Sequence, residues 1–112
     1  MMDEWQTIMT PDATANLTEL RDYIANTLLA PETALRYIRS IHEAINGLKS
    51  FPDRNAAVTQ EPWHSLGIRK LIVKNFHVYY RVDAEKHFVN ILNIIYGKRD
   101  QLHALLQMNL NQ

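Results

Sequence analysis

The sequence predicts a single α+β domain in the order β-α-α-β-β-β-α, with a small, mainly antiparallel sheet packed on an N-terminal helical hairpin and a short C-terminal helix. Two apolar stripes with helical spacing fill the first half of the chain. Three β-rich runs, Ile68 to Val73, Phe76 to Val82 and Phe88 to Tyr96, fill the last third. With 112 residues, 46% of them hydrophobic, the chain fits one domain (1–112) with one modest core.

Glu4 to Met9, with Trp, Thr and Ile, reads as the first strand. Thr10-Pro11 supplies an N-cap and a proline at the first helical position, where its missing N–H costs nothing. Ala13, Leu17, Leu20, Ile24 and Leu28 then share one face of a helix from about Pro11 to Leu28. Pro31 restarts the pattern, and Leu35, Ile38, Ile41 or His42, Ile45 and Leu48 form a second stripe that ends near Ser50-Phe51-Pro52. A short connection makes these two helices antiparallel. Phe51 to Gly67 lacks periodicity, and a connection of that length suggests a role or mobility.

A turn centred on Lys74-Asn75, which Asn favours because it tolerates positive φ, sets Val73 opposite Phe76. One face then carries Arg69, Leu71, Val73, Phe76, Val78, Tyr80 and Val82, and covers the helices. The other carries Lys70, Ile72, Lys74, His77, Tyr79 and Arg81: cations, an imidazole and a phenol. Phe88 to Tyr96 is apolar on both alternations, as a central strand covered on both sides is. Gly97 ends it, Lys98-Arg99-Asp100 follows at the edge of the basic face, and Leu102, Leu105 and Leu106 or Met108 can pack as a last short helix.

Composition narrows the classes of function. There is no cysteine, so neither a disulfide nor a thiolate metal site holds the fold, and a cytoplasmic location is the natural expectation. No run approaches the roughly 18 apolar residues of a membrane span, and the start of the chain lacks the pattern of a secretory signal. The formal charge of zero hides an asymmetry. Residues 1–66 hold five Lys+Arg against nine Asp+Glu (5 − 9 = −4), and residues 67–112 hold seven against three (7 − 3 = +4). The basic half is the β-rich half, as a polyanion-binding surface requires, although a solvated face accounts for many surface charges. No two histidines pair at i, i+3 or i, i+4 to suggest zinc, and no phosphate-binding glycine loop or hydrolase nucleophile motif is present. No metal or cofactor is expected.

In order and spacing the chain resembles the RelE/ParE superfamily of bacterial type II toxins. The resemblance rests on Thr10-Pro11-Asp12-Ala13 after a first strand, the helical hairpin, the phrase from Gly67 through Lys74-Asn75 to Asp83, and the closing Tyr96-Gly97-Lys98-Arg99-Asp100. It implies the fold above, a toxic activity and a cognate antitoxin that blocks it. RelE-like members cut mRNA in the ribosomal A site, whereas ParE-like members poison DNA gyrase. Carried over by position, the strand lysine of the cleaving branch falls on Lys70 and the arginine of the Gly-Lys-Arg motif on Arg99. His77 replaces the usual arginine of the next strand. The C-terminal tyrosine or histidine of cleaving members has no counterpart, its place falling near Leu105.

Cleavage of RNA by its own 2′-OH needs a base, positive charge at the phosphorane and a proton for the leaving oxygen. Arg99, His77, Lys70 and Arg81 form the expected catalytic set, with His77 as base or acid. Lys74, Tyr79 and Lys98 would bind RNA, Tyr79 by stacking. The competing readings are a strand histidine without a proton-transfer role, solvated edge lysines that discourage strand pairing, and an Arg99 held in a salt bridge with Asp100 or an acid of the hairpin. Tyr80 and Tyr96 read as core aromatics, His42 as packing, and His64, His87 and His103 as solvated. The leading expectation is a ribosome-dependent mRNA-cleaving toxin with ribosome, mRNA and antitoxin as partners. The alternatives are a non-enzymatic gyrase poison and a family member that only binds its antitoxin.

Overall fold

The computed structural model describes residues 5–112, so the expected strand residue Glu4 lies outside the described residues. The elements are β1 (Gln6–Met9), α1 (Pro11–Asp22), a π-helical turn (Tyr23–Thr27), α2 (Pro31–Gly47), β2 (Ile68–Val73), β3 (Phe76–Asp83), β4 (Phe88–Tyr96) and α3 (Gln101–Leu106). The sheet order is β1-β4-β3-β2, with β1 parallel to β4 and the other pairs antiparallel, so β4 lies inside the sheet as its double-sided apolarity requires. Val73 faces Phe76, and Lys74 and Asn75 both take positive φ (50° and 67°), the geometry of a tight hairpin turn.

One face of the sheet meets α1 and α2. Phe76, Val78, Tyr80, Val89, Ile91 and Ile94 pack there against Ala13, Leu17, Ile41, Ile45 and Leu48. The other face is only in part the open cationic surface that alternation suggests. Val58 and Trp63 of the 51–67 connection, with Leu105 of α3, close over Ile68, Tyr79 and Leu92 in a second core. This connection is tied down by Val58 N–H donating to the Ile68 carbonyl (2.8 Å) and by an Ala57–Arg69 bridge. Arg69 pairs with Asp53 at 3.5 Å, and the Tyr80 hydroxyl donates to the Pro52 carbonyl at 2.7 Å. The second core needs an irregular segment because the three-strand meander leaves that face bare, and side chains rather than periodicity make the fit.

Both helical stripes are shifted from expectation. Leu28 is 55% exposed, because the wider π-helical turn rotates it off the face that Ala13, Leu17 and Ile24 bury. Leu35 is 60% exposed; Ala34 takes the buried position one residue earlier, in line with Ile41, Ile45 and Leu48. In α3 only Leu105 is buried, Leu102 and Leu106 facing outward, while Met108 packs at the edge of the second core.

The register of β3 on β4 slips between Tyr79 and Tyr80, leaving Leu92 as an extra residue. Its phase change sends Val89, Ile91 and Ile94 to the helix side and Leu92 to the other core. The start of α1 satisfies the freed backbone groups. The Thr10 hydroxyl donates to the Ile91 carbonyl (2.6 Å), lies 3.2 Å from that of Leu92, and caps the helix by accepting from Ala13 N–H. Asn16 Oδ1 accepts from Ile94 N–H at 2.9 Å. Thr10→Val keeps the shape and removes the hydroxyl's bonds while leaving that of Asn16, so it should lower unfolding free energy by about 1–3 kcal/mol in urea titrations.

Candidate functional site

After β4 the chain turns sharply at Gly97, and that turn sits on the β2–β3 hairpin tip. Gly97 N–H donates to the Asn75 carbonyl at 2.7 Å. A Cβ at Gly97 would lie 2.9 Å from that carbonyl oxygen and 3.2 Å from His77 Nε2, so only glycine permits the approach. Arg99 N–H donates to the Tyr96 carbonyl (3.0 Å), and Asp100 caps α3 by accepting from His103 N–H (3.1 Å).

Beside this loop lies a cleft of about 770 Å³ between the sheet end and the helical hairpin. Leu20, Tyr23, Ile24, Tyr37, Phe76 and Tyr96 give it apolar walls, and Lys74 and Arg99 line it together, with Glu19 the acid among its lining residues. Phe76 and Tyr96 contact each other at 5.4 Å between ring centres, and Tyr37 meets Phe76 edge-on at 6.3 Å. Tyr96 is therefore a half-exposed wall of the cleft and not a core ring (39% exposed). Neither Arg99 nor Lys98 forms an ion pair among the described residues, so the salt bridge of the competing reading of Arg99 is not made and both side chains are exposed.

The expected catalytic and RNA-binding residues divide into four places. Arg99 and Lys74 meet at the cleft, and exposed Lys98 adjoins them. His77 lies under Gly97, partly buried, with Nδ1 lacking a hydrogen-bond partner. Burial, and next the Lys70 ammonium, hold its pKa below the ordinary imidazole value, with the nearby Gln101 carboxamide opposing them. Arg81 stands four residues along β3 from His77, roughly 13 Å at strand rise, where it pairs with Ile68 and Asn90. Tyr79 is 1% exposed and cannot stack on a base; its hydroxyl donates to Gln101 Oε1 at 2.8 Å, and burial raises its pKa. It belongs to the second core because the 51–67 connection and α3 cover it.

His77 makes stability depend on pH. Its imidazole binds a proton less readily folded than unfolded, so stability is highest above the ordinary pKa near 6.5 and falls as pH drops through it toward the lower folded value. The slope from this group is at most about 1.4 kcal/mol per pH unit. Denaturation midpoints of wild type and His77→Gln should converge with falling pH below about 6.5; a constant difference would contradict this.

The other histidines hold no site. His42 is exposed, and His64 Nδ1 lies 2.9 Å from the Val58 carbonyl. His87 is not simply solvated: it stacks on Trp5 at 3.9 Å between ring centres. Among the described residues no group of three or more His, Asp or Glu side chains is placed to hold a metal, and no helix is long and apolar enough to cross a membrane. Sequence reasoning missed Tyr23 and Tyr37 as cleft walls and Gln101 as the partner of the buried Tyr79 hydroxyl. The tyrosines carried a helical-stripe signal; Gln101 carried none.

Solved structures share this architecture. The chromosomal ParDE toxin–antitoxin system of P. aeruginosa superposes with a TM-score of 0.68 at 26% identity, over 84% of this chain and 97% of that one. The toxin–antitoxin complex RelBE2 of Mycobacterium tuberculosis superposes with a TM-score of 0.61 at 20% identity, over 86% and 94% of the two chains. No match was found among curated proteins. These likenesses place the fold among toxin–antitoxin domains. Residues 7–101 match the family described as ParE toxin of type II toxin-antitoxin system, parDE, and the chain belongs to that family.

Proposed function

We propose that this toxin arrests growth by binding a macromolecular target through the Lys74–Arg99 surface, in the manner of the ParE branch that poisons DNA gyrase, and not by cutting RNA. The observation that carries this reading is the dispersal of the nuclease set. Tyr79 is buried, and Arg81 stands roughly 13 Å from His77, whereas cleavage needs its charges and its base around one phosphate. Arg99 and Lys74 do converge, on a cleft whose apolar walls suit a protein surface better than a phosphodiester.

A cognate antitoxin is the second partner. Tyr23, Leu28, Leu29 and Leu35 expose 55%, 55%, 81% and 60% of their surface along the hairpin tip, an apolar strip that an amphipathic segment with acidic residues for Lys74 and Arg99 would cover. Relatives solved as toxin–antitoxin systems support that partner.

One feature favours RNA cleavage: the imidazole of His77 beneath the basic loop, its Nδ1 without a hydrogen-bond partner. Expression of the toxin alone separates the readings. Growth arrest with induction of the DNA-damage response and intact mRNA is expected; arrest with new mRNA 5′ ends inside translated frames would replace the gyrase reading by the nuclease one.

A further inference from the structure

The basic loop is held by one side chain outside it. Gln101 directs its carboxamide back from the start of α3 and uses three of its four hydrogen-bonding positions. Its Oε1 accepts from the buried Tyr79 hydroxyl at 2.8 Å, and its Nε2 donates to the Tyr96 carbonyl at 2.8 Å and the Arg99 carbonyl at 3.0 Å. Two donors and an acceptor on one planar group fit this task; glutamate lacks the donors and leucine lacks all three. Arg99 is thereby tied on both sides, its N–H to Tyr96 and its carbonyl to Gln101. No ion pair fixes its guanidinium among the described residues, so the backbone alone sets where the side chain enters the cleft.

We infer that Gln101 is a positioning residue for Arg99, anchoring the Gly97–Asp100 loop to the Tyr79 hydroxyl so that the guanidinium is presented ready-made to the target. This rests on the reading of Arg99 as a target-binding residue. The two ends of the tether differ in consequence. Tyr79→Phe removes the anchor hydroxyl and leaves the carbonyl bonds of Gln101 in place. Gln101→Leu frees the loop but strands the Tyr79 hydroxyl in the second core, a stability loss unrelated to positioning. The pair Tyr79→Phe with Gln101→Leu matches apolar to apolar, so the domain stays folded with its loop released.

The test measures two quantities for the full chain: the inducer dose that halts growth, and amide hydrogen exchange at Arg99 in purified protein. Tyr79→Phe, which cuts only the anchor, should shift both in the direction of the double variant by a smaller factor, and wild-type values in both would show that the Tyr79 hydroxyl is not the anchor. The double variant should fold, exchange the Arg99 amide at least about tenfold faster and lose at least about tenfold in potency, as a misplaced contact does. The pair Tyr79→Phe with Gln101→Leu, added to Arg99→Ala, should cost no further potency, whereas a merely structural role would add to the loss. A folded double variant with wild-type potency and exchange, beside an Arg99→Ala that loses potency, overturns the positioning role alone. Should Arg99→Ala keep full potency, the functional reading of Arg99 falls, and exchange then decides the tether by itself: accelerated exchange upholds it and unchanged exchange overturns it.

Discussion

Replacing Gly97 with alanine should cost about 1–3 kcal/mol of stability, the usual penalty for forcing an added methyl into a filled space. The new Cβ would stand 2.9 Å from the Asn75 carbonyl oxygen, and that oxygen cannot retreat without losing the 2.7 Å bond from Gly97 N–H. Asn75 is confined in turn by the positive φ of the hairpin turn. His77, the other neighbour at 3.2 Å, can yield only into a partly buried site whose Nδ1 already lacks a partner. The penalty comes from contact, since Gly97 is not among the residues of positive φ. Urea denaturation of the purified variant measures it, and an unchanged midpoint would show that the loop does not press on the hairpin as described. Growth arrest should weaken as well, because the same shift moves Arg99.

Arg99→Ala should raise the dose needed for growth arrest by thirtyfold or more, as expected when one partner of a desolvated charge pair, worth about 2–5 kcal/mol, is removed. Lysine at this position should restore only part of the activity, since an ammonium lacks the planar fork of the guanidinium. Arg81→Ala should leave potency within about twofold, because Arg81 lies well along β3 from the cleft and is not among its lining residues. Equal losses at Arg81 and Arg99 would return the site to the open sheet face that strand alternation suggests.

The hairpin was legible because its information is local: alternation assigns the faces and Asn75 marks the turn, so the register follows without tertiary knowledge. Thr10-Pro11 likewise announced the start of α1, and the double-sided apolarity of β4 announced its central place. The second core was not legible. Val58 and Trp63 sit in an irregular connection with no period to betray that they fold back over Tyr79, the one residue of the face assigned to RNA that becomes interior. The bulge at Leu92 and the π-helical turn escaped for a related reason: each shifts phase by a single residue, which a stripe of leucines and isoleucines tolerates without visible change. Arg99 could be singled out because Gly97-Lys98-Arg99 matches the Gly-Lys-Arg motif of the family that the sequence resembles. Gln101, two residues later, resembles any polar residue at the start of a helix, and only the buried Tyr79 hydroxyl reveals its role.

The decisive measurement uses purified toxin, purified DNA gyrase and supercoiled plasmid with ATP. Linear plasmid trapped as a covalent gyrase complex, accumulating with added toxin and absent with Arg99→Ala, is the predicted result. Gyrase activity unaffected by toxin that still halts growth would contradict the account.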